Sequence, residues 1–583
     1  MTRGSLTAVA PVDLPPGTAA ANVATSTAGA MRHRRTVIAV VIALLVIWFA
    51  NLDARRLIRP DEGRYAEIAR EMAVTGDWIT PRLNGLKYFE KPPLQYWATA
   101  AAYRVFGADE WTARLWPGLA GALTVLVVWR FGKRLFGAEA GASAGLVAIS
   151  MLWIAANAHI NTLDMGLTLF LTVGLAGFLW AQRDGATTAE QREGMAMAWS
   201  GAALAILSKG LIGLVLPGGA IAIYVVLTRD WRRLTRLHLI GGTVILLAIA
   251  APWFVAVSVV NPEFPDFFFI REHFQRYLTT VHRRSEPWWY FLPLLVAGTL
   301  PWTVLAVQAV IGAVKADRPG KGFKPRWFLL AWCAFVMLFF SASNSKLPSY
   351  ILPVFPALAW LMGDRLVRLS PKSLTWHAIP LIPLAVAAFL VALHTDRFAT
   401  DRTPAALYAA FAPWIGTAAG VMFLAAVGCV AFSLFGRRLA AVAVLSIGSL
   451  GAWQIGFTGH DALSPSFSGH DIAAQVRPRI RPECPFYSVR AYDQTLPFYL
   501  GRTLTLVEFA DEMAFGIERE PQLAIAGVPE FRAAWMKLTC SYAFMEPDTF
   551  KELVAGGLPM TVMASDRRRV IVANPRMTDT PLP

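Results

Sequence analysis

LQYWATAAAYRVFG, Leu94–Gly107, decides how this chain is threaded. It is apolar and aromatic, yet its length falls short of the roughly 20 residues needed to cross a hydrocarbon core, and it carries Arg104. Parity resolves the ambiguity. If the stretch does not cross, the clusters Arg130/Lys133/Arg134, Arg229/Arg232/Arg233/Arg236, Lys315 to Arg326, Arg365/Arg368/Lys372 and Arg437/Arg438 all share a side with Arg32/Arg34/Arg35. If it crosses, every one of them lies opposite. Cytoplasmic loops are enriched in Lys and Arg, so the stretch reads as an interfacial helix on the outer surface.

Composition agrees with a membrane protein. The 583 residues are 55% hydrophobic and only 16% charged, with 21 Trp, outside the range of soluble globular chains. The formal net charge of +15 follows from the positive-inside bias and anionic head groups, without a nucleic-acid partner. Residues 1–30, rich in Ala, Thr, Pro and Gly, read as a disordered cytoplasmic tail. MRHRRTVIAVVIALLVIWFAN (31–51) reads as a retained anchor, since no small-residue cleavage pattern follows it.

Apolar runs near 36–52, 112–132, 140–160, 165–181, 195–208, 210–227, 239–260, 289–311, 327–342, 350–363, 377–394, 408–435 and 439–457 predict thirteen transmembrane helices within a domain over 31–457. The first outer loop is 53–111. The tail, 458–583, alternates strand-like pieces (PFYSVR, TLTLVEF, PQLAIAG, RRRVIVANP) with helical stretches around 508–516 and 529–537, predicting a small extracytoplasmic α/β domain. Cys484 and Cys540 share that tail, where an oxidising compartment permits a disulfide or two free thiols.

This topology gathers polar residues on one surface. The first loop brings Asp61, Glu62, Arg64, Tyr65, Tyr88, Glu90 and Lys91; HINTLDMG brings His159, Asn161 and Asp164; FFFIREHFQRY brings Arg271, Glu272, His273 and Arg276; SNSKLPSYILP brings Lys346 and Tyr350. Lys209, at the end of a short span, reads equally as a snorkelling cation or a phosphate contact. His159 reads as a hydrogen-bonded helix-end residue or, less readily, as a ligand. Cations suit phosphate oxygens, while carboxylates suit a hydroxyl to be deprotonated or an amine to be held. Few ionisable groups fall inside the spans, which disfavours a proton-coupled carrier. Along RPDEGRYAEIAREM (59–72), helical spacing places Asp61, Tyr65, Ile68 and Met72 on one stripe and leaves Glu62, Glu67, Arg70 and Glu71 as a solvated face. Asp61 after Pro60 is either a helix cap or a site residue.

DEGRYAEIAREM, LKYFEKPPLQYW, ILSKGLIGLVLP, EHFQRY and SKLPSYILP, in this order, resemble the polyprenyl-phosphate-sugar glycosyltransferases of the GT-C type, the superfamily of the protein O-mannosyltransferases. Over roughly 35–580 the chain most resembles the aminoarabinose transferase family, ArnT. The resemblance implies a pentosyltransferase of the bacterial inner membrane, acting as a monomer at the periplasmic face. Its donor would be 4-amino-4-deoxy-L-arabinose on undecaprenyl phosphate, its acceptor the phosphates of lipid A, and its outcome resistance to polymyxin and cationic peptides. By position, Asp61 and Asp164 resemble the family's acids, Lys91, Arg64 and Arg276 its phosphate-holding set, and Tyr88 and Tyr350 its lining hydroxyls.

Two further readings stand beside these. Glu90 and His273 either close around a divalent metal ion or simply hydrogen-bond to substrate or loop. The donor sugar is either aminoarabinose for lipid A or another polyprenyl-linked sugar passed to protein or glycan, for which Asp61 would serve as base. A transporter of lipid-linked sugars would require internal repeats and discontinuous helices, which the sequence does not reveal.

Overall fold

The computed structural model describes residues 38–275, 286–316 and 322–577, so the predicted tail over 1–30 lies outside the described residues. Two units are resolved, Met1–Ala50 and Asn51–Pro583. Within the first, the apolar helix α1 covers Ile38–Phe49.

The second unit is a helical membrane domain with an α/β domain at its carboxyl end. In chain order its main helices are α2 (Asp61–Thr75), α3 (Leu94–Phe106), α4 (Glu110–Phe136), α5 (Ala138–Ser150), α6 (Leu152–Ala158), α7 (Asp164–Gln182), α8 (Thr188–Lys209) and α9 (Ile212–Thr228), then α10 (Leu239–Val260), α11 (Phe291–Gly298), α12 (Thr303–Ala316), α13 (Pro325–Ala342), α14 (Val354–Arg368), α15 (Pro371–Ala392), α16 (Ala405–Leu434) and α17 (Arg438–Phe467). Every predicted run is helical. Among the described residues, seven single helices are long and apolar enough to cross a membrane, and nine spans result if each bent pair is one crossing. The remaining runs are short (α1, α9, α14) or begin with a charged turn (α8, with Glu190, Arg192 and Glu193).

Two runs predicted as continuous are broken instead. The axis turns by 60° between α5 and α6 and by 107° between α11 and α12. The breaks meet: Leu152 N–H donates to Leu300 O at 3.0 Å, and Trp302 Nε1 donates to Ser150 Oγ at 2.9 Å. Backbone freed by a break at membrane depth needs such partners. Elsewhere small residues draw helices together. A Cβ on Gly201 of α8 would lie 2.6 Å from Phe170 O of α7, so only glycine permits that approach.

The short helix α3 packs its Tyr96, Ala100 and Tyr103 into a core that also holds Tyr65, Ile68 and Met72 of α2 and Tyr492, Phe498, Leu506 and Met513 of the carboxyl-terminal domain. It therefore lies against that domain. Beside it, strands β1 (Arg82–Leu83) and β2 (Leu86–Lys87) pair antiparallel. Asn84 in their turn exchanges two hydrogen bonds with Leu504, donating to its O at 2.6 Å and accepting from its N at 2.7 Å.

The carboxyl-terminal domain is a six-stranded sheet of β3 (Phe486–Val489), β4 (Thr505–Val507), β5 (Ala524–Ile525), β6 (Tyr542–Met545), β7 (Thr561–Ser565) and β8 (Val570–Ala573), in the order β5-β4-β3-β6-β8-β7. The first four neighbours run parallel and β8 and β7 antiparallel. Separate apolar clusters cover its two faces. Cys484 and Cys540 form a disulfide with Cα atoms 5.4 Å apart, joining the chain just before β3 to the chain just before β6.

Candidate active site

The site is organised around a charge that sequence reading places in water. Glu62, in the first turn of α2, is 1% exposed, and Glu67 and Glu71 are also buried, so the expected solvated face is in fact an interior one. The reason is the partners supplied from distant segments. Glu62 accepts from Arg114 Nε of α4 at 2.8 Å, from Arg55 Nη1 at 3.1 Å and from the Asn161 amide at 3.0 Å. Burial raises the Glu62 pKa, but Arg114 and then Arg55 outweigh it and hold the carboxyl at about 2. Arg55 is dragged down to about 10 by the same burial. One carboxylate thus ties together the entry to α2, the first turn of α4 and the segment leading into α7, so that Asp61 and Asp164 sit on connected supports.

Further along α2, Glu67 is chelated by Arg70 through two bonds of 2.6 Å, and Glu71 accepts from the Gly85 amide at 2.8 Å. Burial, then the Glu67 charge, pushes the Glu71 pKa up to about 8. A carboxyl whose folded value exceeds its unfolded one favours the folded state while protonated. That contribution is complete below about pH 4.5 and lost as pH rises through about 8, at up to about 1.4 kcal/mol per pH unit. Glu71→Gln is therefore expected to flatten the decline in melting temperature between pH 5 and pH 8, read on the detergent-solubilised protein; an unchanged profile would refute the assignment.

Around Asp61 the predicted residues assemble. Arg64 bonds Asp61 at 2.8 Å on one side and Glu512 at 2.5 Å on the other. Asp61 is 40% exposed at its side chain, so its carboxylate faces solvent while its partner is buried. Tyr65, Tyr88 and Tyr96 close the interior side, and burial pushes the phenols of all three upward, keeping them neutral donors. Glu90 and Lys91 follow: Lys91 Nζ donates to Glu90 O at 2.7 Å and lies 3.6 Å from Glu272 and 3.9 Å from the Glu90 carboxylate.

The second acid, Asp164, opens α7 and is ion-paired to Lys209 at the end of α8. The Lys209 ammonium also lies 4.8 Å from the centre of the Tyr350 ring, so Lys209 is drawn inward by a carboxylate and an aromatic face and does not snorkel. Lys346, also buried, donates to Ser343 O at 2.6 Å. His159 is a buried helix-end residue, with Nδ1 at 2.7 Å from Ala155 O. Phe89, next to Glu90, packs in one cluster with Ile206 and Leu207 of α8, which brings the Lys91 loop to the helix end that bears Lys209. Arg276 and the side chain of His273 lie outside the described residues. Among the described residues, the acidic or metal-ligating side chains grouped closely enough for an ion are Asp53, Asp109 and Glu110, a group without Glu90; Asp109 there already caps α4.

Three residues of this site escape sequence reading. Arg55, Arg114 and Glu512 lie far apart in the chain and carry no motif; the available clue was three carboxylates on a helix whose other stripe carries Tyr65, Ile68 and Met72.

The sequence model of the dolichyl-phosphate-mannose-protein mannosyltransferases matches residues 34–268, and that of the aminoarabinose transferase C-terminal domain matches residues 472–574. The undecaprenyl phosphate-alpha-4-amino-4-deoxy-L-arabinose arabinosyl transferase of Erwinia tasmaniensis is 30% identical over 430 residues, which is 72% of this chain and 76% of that relative. This chain belongs to the ArnT family. The crystal structure of ArnT from Cupriavidus metallidurans bound to undecaprenyl phosphate is 41% identical, with a TM-score of 0.89 over 93% of this chain and 99% of that one. Arabinosyl transferase 2 of Pseudomonas fluorescens is 32% identical over 363 residues, and this ArnT-family chain spans only 60% of its length in that match. The expected fold, a polytopic helical membrane domain with a carboxyl-terminal α/β domain, is the ArnT fold.

Proposed function

We infer that this chain is a glycosyltransferase that moves 4-amino-4-deoxy-L-arabinose from undecaprenyl phosphate to the phosphate groups of lipid A, at the periplasmic face of the bacterial inner membrane. The observation that carries the reading is the match over nearly the whole chain to an ArnT bound to undecaprenyl phosphate. The site's chemistry supports it. Transfer breaks the bond between the anomeric carbon and the phosphate oxygen of the donor and forms a new one to an acceptor oxygen, while the departing undecaprenyl phosphate gains negative charge. Lys91, aided by Arg276 and Lys209, would stabilise that charge, and Tyr88, Tyr350 and Lys346 would complete the polar wall. Arg64, held between Asp61 and Glu512, would fix the direction of the Asp61 carboxylate.

A lipid A phosphate is anionic at neutral pH and needs no base to attack. Asp61 and Asp164 would then hold the sugar's ammonium and support positive charge at the anomeric carbon. Mass spectrometry of lipid A from cells with and without the protein tests this. Added aminopentose dependent on the protein is the expected result; unchanged lipid A would refute the reading and favour a hydroxyl acceptor, with Asp61 as base.

A further inference from the structure

Three arginines gathered around one segment carry guanidiniums that form no ion pair among the described residues. Arg59 precedes the α2 entry, Arg402 lies between α15 and α16, and Arg568 lies in the β7–β8 turn. A single short segment draws them together. Arg59 N–H donates to Phe467 O at 2.9 Å, Ser466 Oγ donates to Arg402 O at 3.0 Å, and Arg569, next to Arg568, donates to Pro465 O at 3.3 Å. Arg567 adds a bond from Nη1 to Asp401 O at 3.1 Å.

Among the described residues, none of the three guanidiniums of Arg59, Arg402 and Arg568 has a carboxylate within ion-pair distance or a side-chain hydrogen bond. The local acids are already used: Arg569, 2% exposed at its side chain, pairs with Asp493 at 2.6 Å and Asp566 at 2.9 Å, and Asp566 also accepts from the Arg568 amide. Arg568 Nε and Arg569 Nη2 are buried without a partner among the described residues. Burial and the neighbouring charges of Arg59, Arg402 and Arg569 outweigh the opposing charge of Asp566 and weaken the hold of Arg568 on its proton. Converging guanidiniums with free donors are the chemistry of a phosphate site.

At Ile58, next to Arg59, begins an apolar cavity of about 570 Å³, within the range of about 300–1,000 Å³ usual for ligand sites. Its walls include Ile58, Phe411, Met422, Trp453 and Phe457, and Leu384, 48% exposed, carries it to the apolar flank of α15. Ile58 adjoins Arg59, and the His460 ring of the same cavity lies 6.1 Å from that of Phe467, the residue that anchors Arg59. Arg55, also in the wall, bonds Glu62 and so reaches the residue beside Asp61. The cavity shares no lining residue with Lys91, Asp164, Lys209 or Tyr350.

We propose that Arg59, Arg402 and Arg568 bind a phosphate of the acceptor lipid while the adjoining cavity receives one of its acyl chains, placing the acceptor opposite the donor across the α2 entry. The proposal rests on the phosphate-acceptor reading above, and binding separates the two. The full-length protein in nanodiscs and its R402Q/R568Q variant would be titrated, by native mass spectrometry, with bis-phosphorylated lipid A, dephosphorylated lipid A and phosphatidylglycerol. Both arginine side chains lack internal partners among the described residues, so the melting temperature should not change.

The expected result is selective retention of phosphorylated lipid A by the unaltered protein and at least a tenfold weaker hold in the variant, about 1.4 kcal/mol or more. In turnover assays the same variant should raise KM for lipid A by a similar factor, with undecaprenyl phosphate binding unchanged. Equal binding by both proteins, or no preference for lipid A phosphates over dephosphorylated lipid A or phosphatidylglycerol, would overturn the proposal. Selective binding without any sugar transfer would leave the site standing and refute the transferase reading alone.

Discussion

Replacing Glu62 with alanine is expected to destabilise the protein by about 3–5 kcal/mol, because it strands two buried arginines without their counter-ion. The loss goes beyond one ion pair. Arg114 also holds the Leu52 and Arg55 carbonyls at 2.9 and 2.5 Å, so its displacement loosens the whole approach to α2. Transfer should fall with stability, since Asp61 is the adjoining residue and the Asn161 amide, three residues before Asp164, loses its acceptor. Thermal unfolding in detergent, with Glu62→Gln as the volume-matched comparison, checks this. A melting temperature for Glu62→Ala equal to that of the unaltered protein would show that the network does not hold the two acids in place.

Asp61→Asn should behave in the opposite way, sparing the fold and removing the chemistry. The Asp61 side chain is 40% exposed and its one described ion pair is with Arg64, which keeps Glu512 as a second partner, so little stability is at stake. A fall in kcat of about 10²–10³ is expected from the loss of one fixed charge at the reacting centre. Unfolding and undecaprenyl phosphate binding should stay as they are. Single-turnover transfer to lipid A followed by mass spectrometry reads the effect, and near-normal turnover would move the catalytic charge to Asp164.

The parts of this molecule governed by local patterns were readable in advance. Apolar runs gave the helices, the short one over Leu94–Phe106 among them, and local charge pattern singled out Asp61, Lys91, Asp164 and Tyr350 as candidates, of which Asp61 pairs with Arg64 while Asp164 and Tyr350 meet at Lys209. What stayed hidden depended on distant partners. Glu62, Glu67 and Glu71 look like a wet helix face because charge on a helix usually is one; their burial depends on partners the pattern does not show, Arg114, Arg55 and the Asn161 amide for Glu62, Arg70 for Glu67 and the Gly85 amide for Glu71. The bends at Met151 and Pro301 escaped notice because each lies within a continuous apolar run. Strands β6 and β7 stay hidden for a different reason: SYAFME lacks the alternation of a half-buried strand, being buried on both faces, while TVMAS is a mostly exposed edge strand.

The exchange of hydrogen bonds between Asn84 and Leu504 has a consequence for biosynthesis. More than four hundred residues separate the two, and nearly every membrane crossing is made between them. The loop that bears Asp61 and Lys91 therefore emerges from the ribosome long before the segment that seals its apolar side. Until that late segment has been made and folded, the nascent protein is a helical bundle whose first loop is still unsealed, and maturation is completed from the far end of the chain.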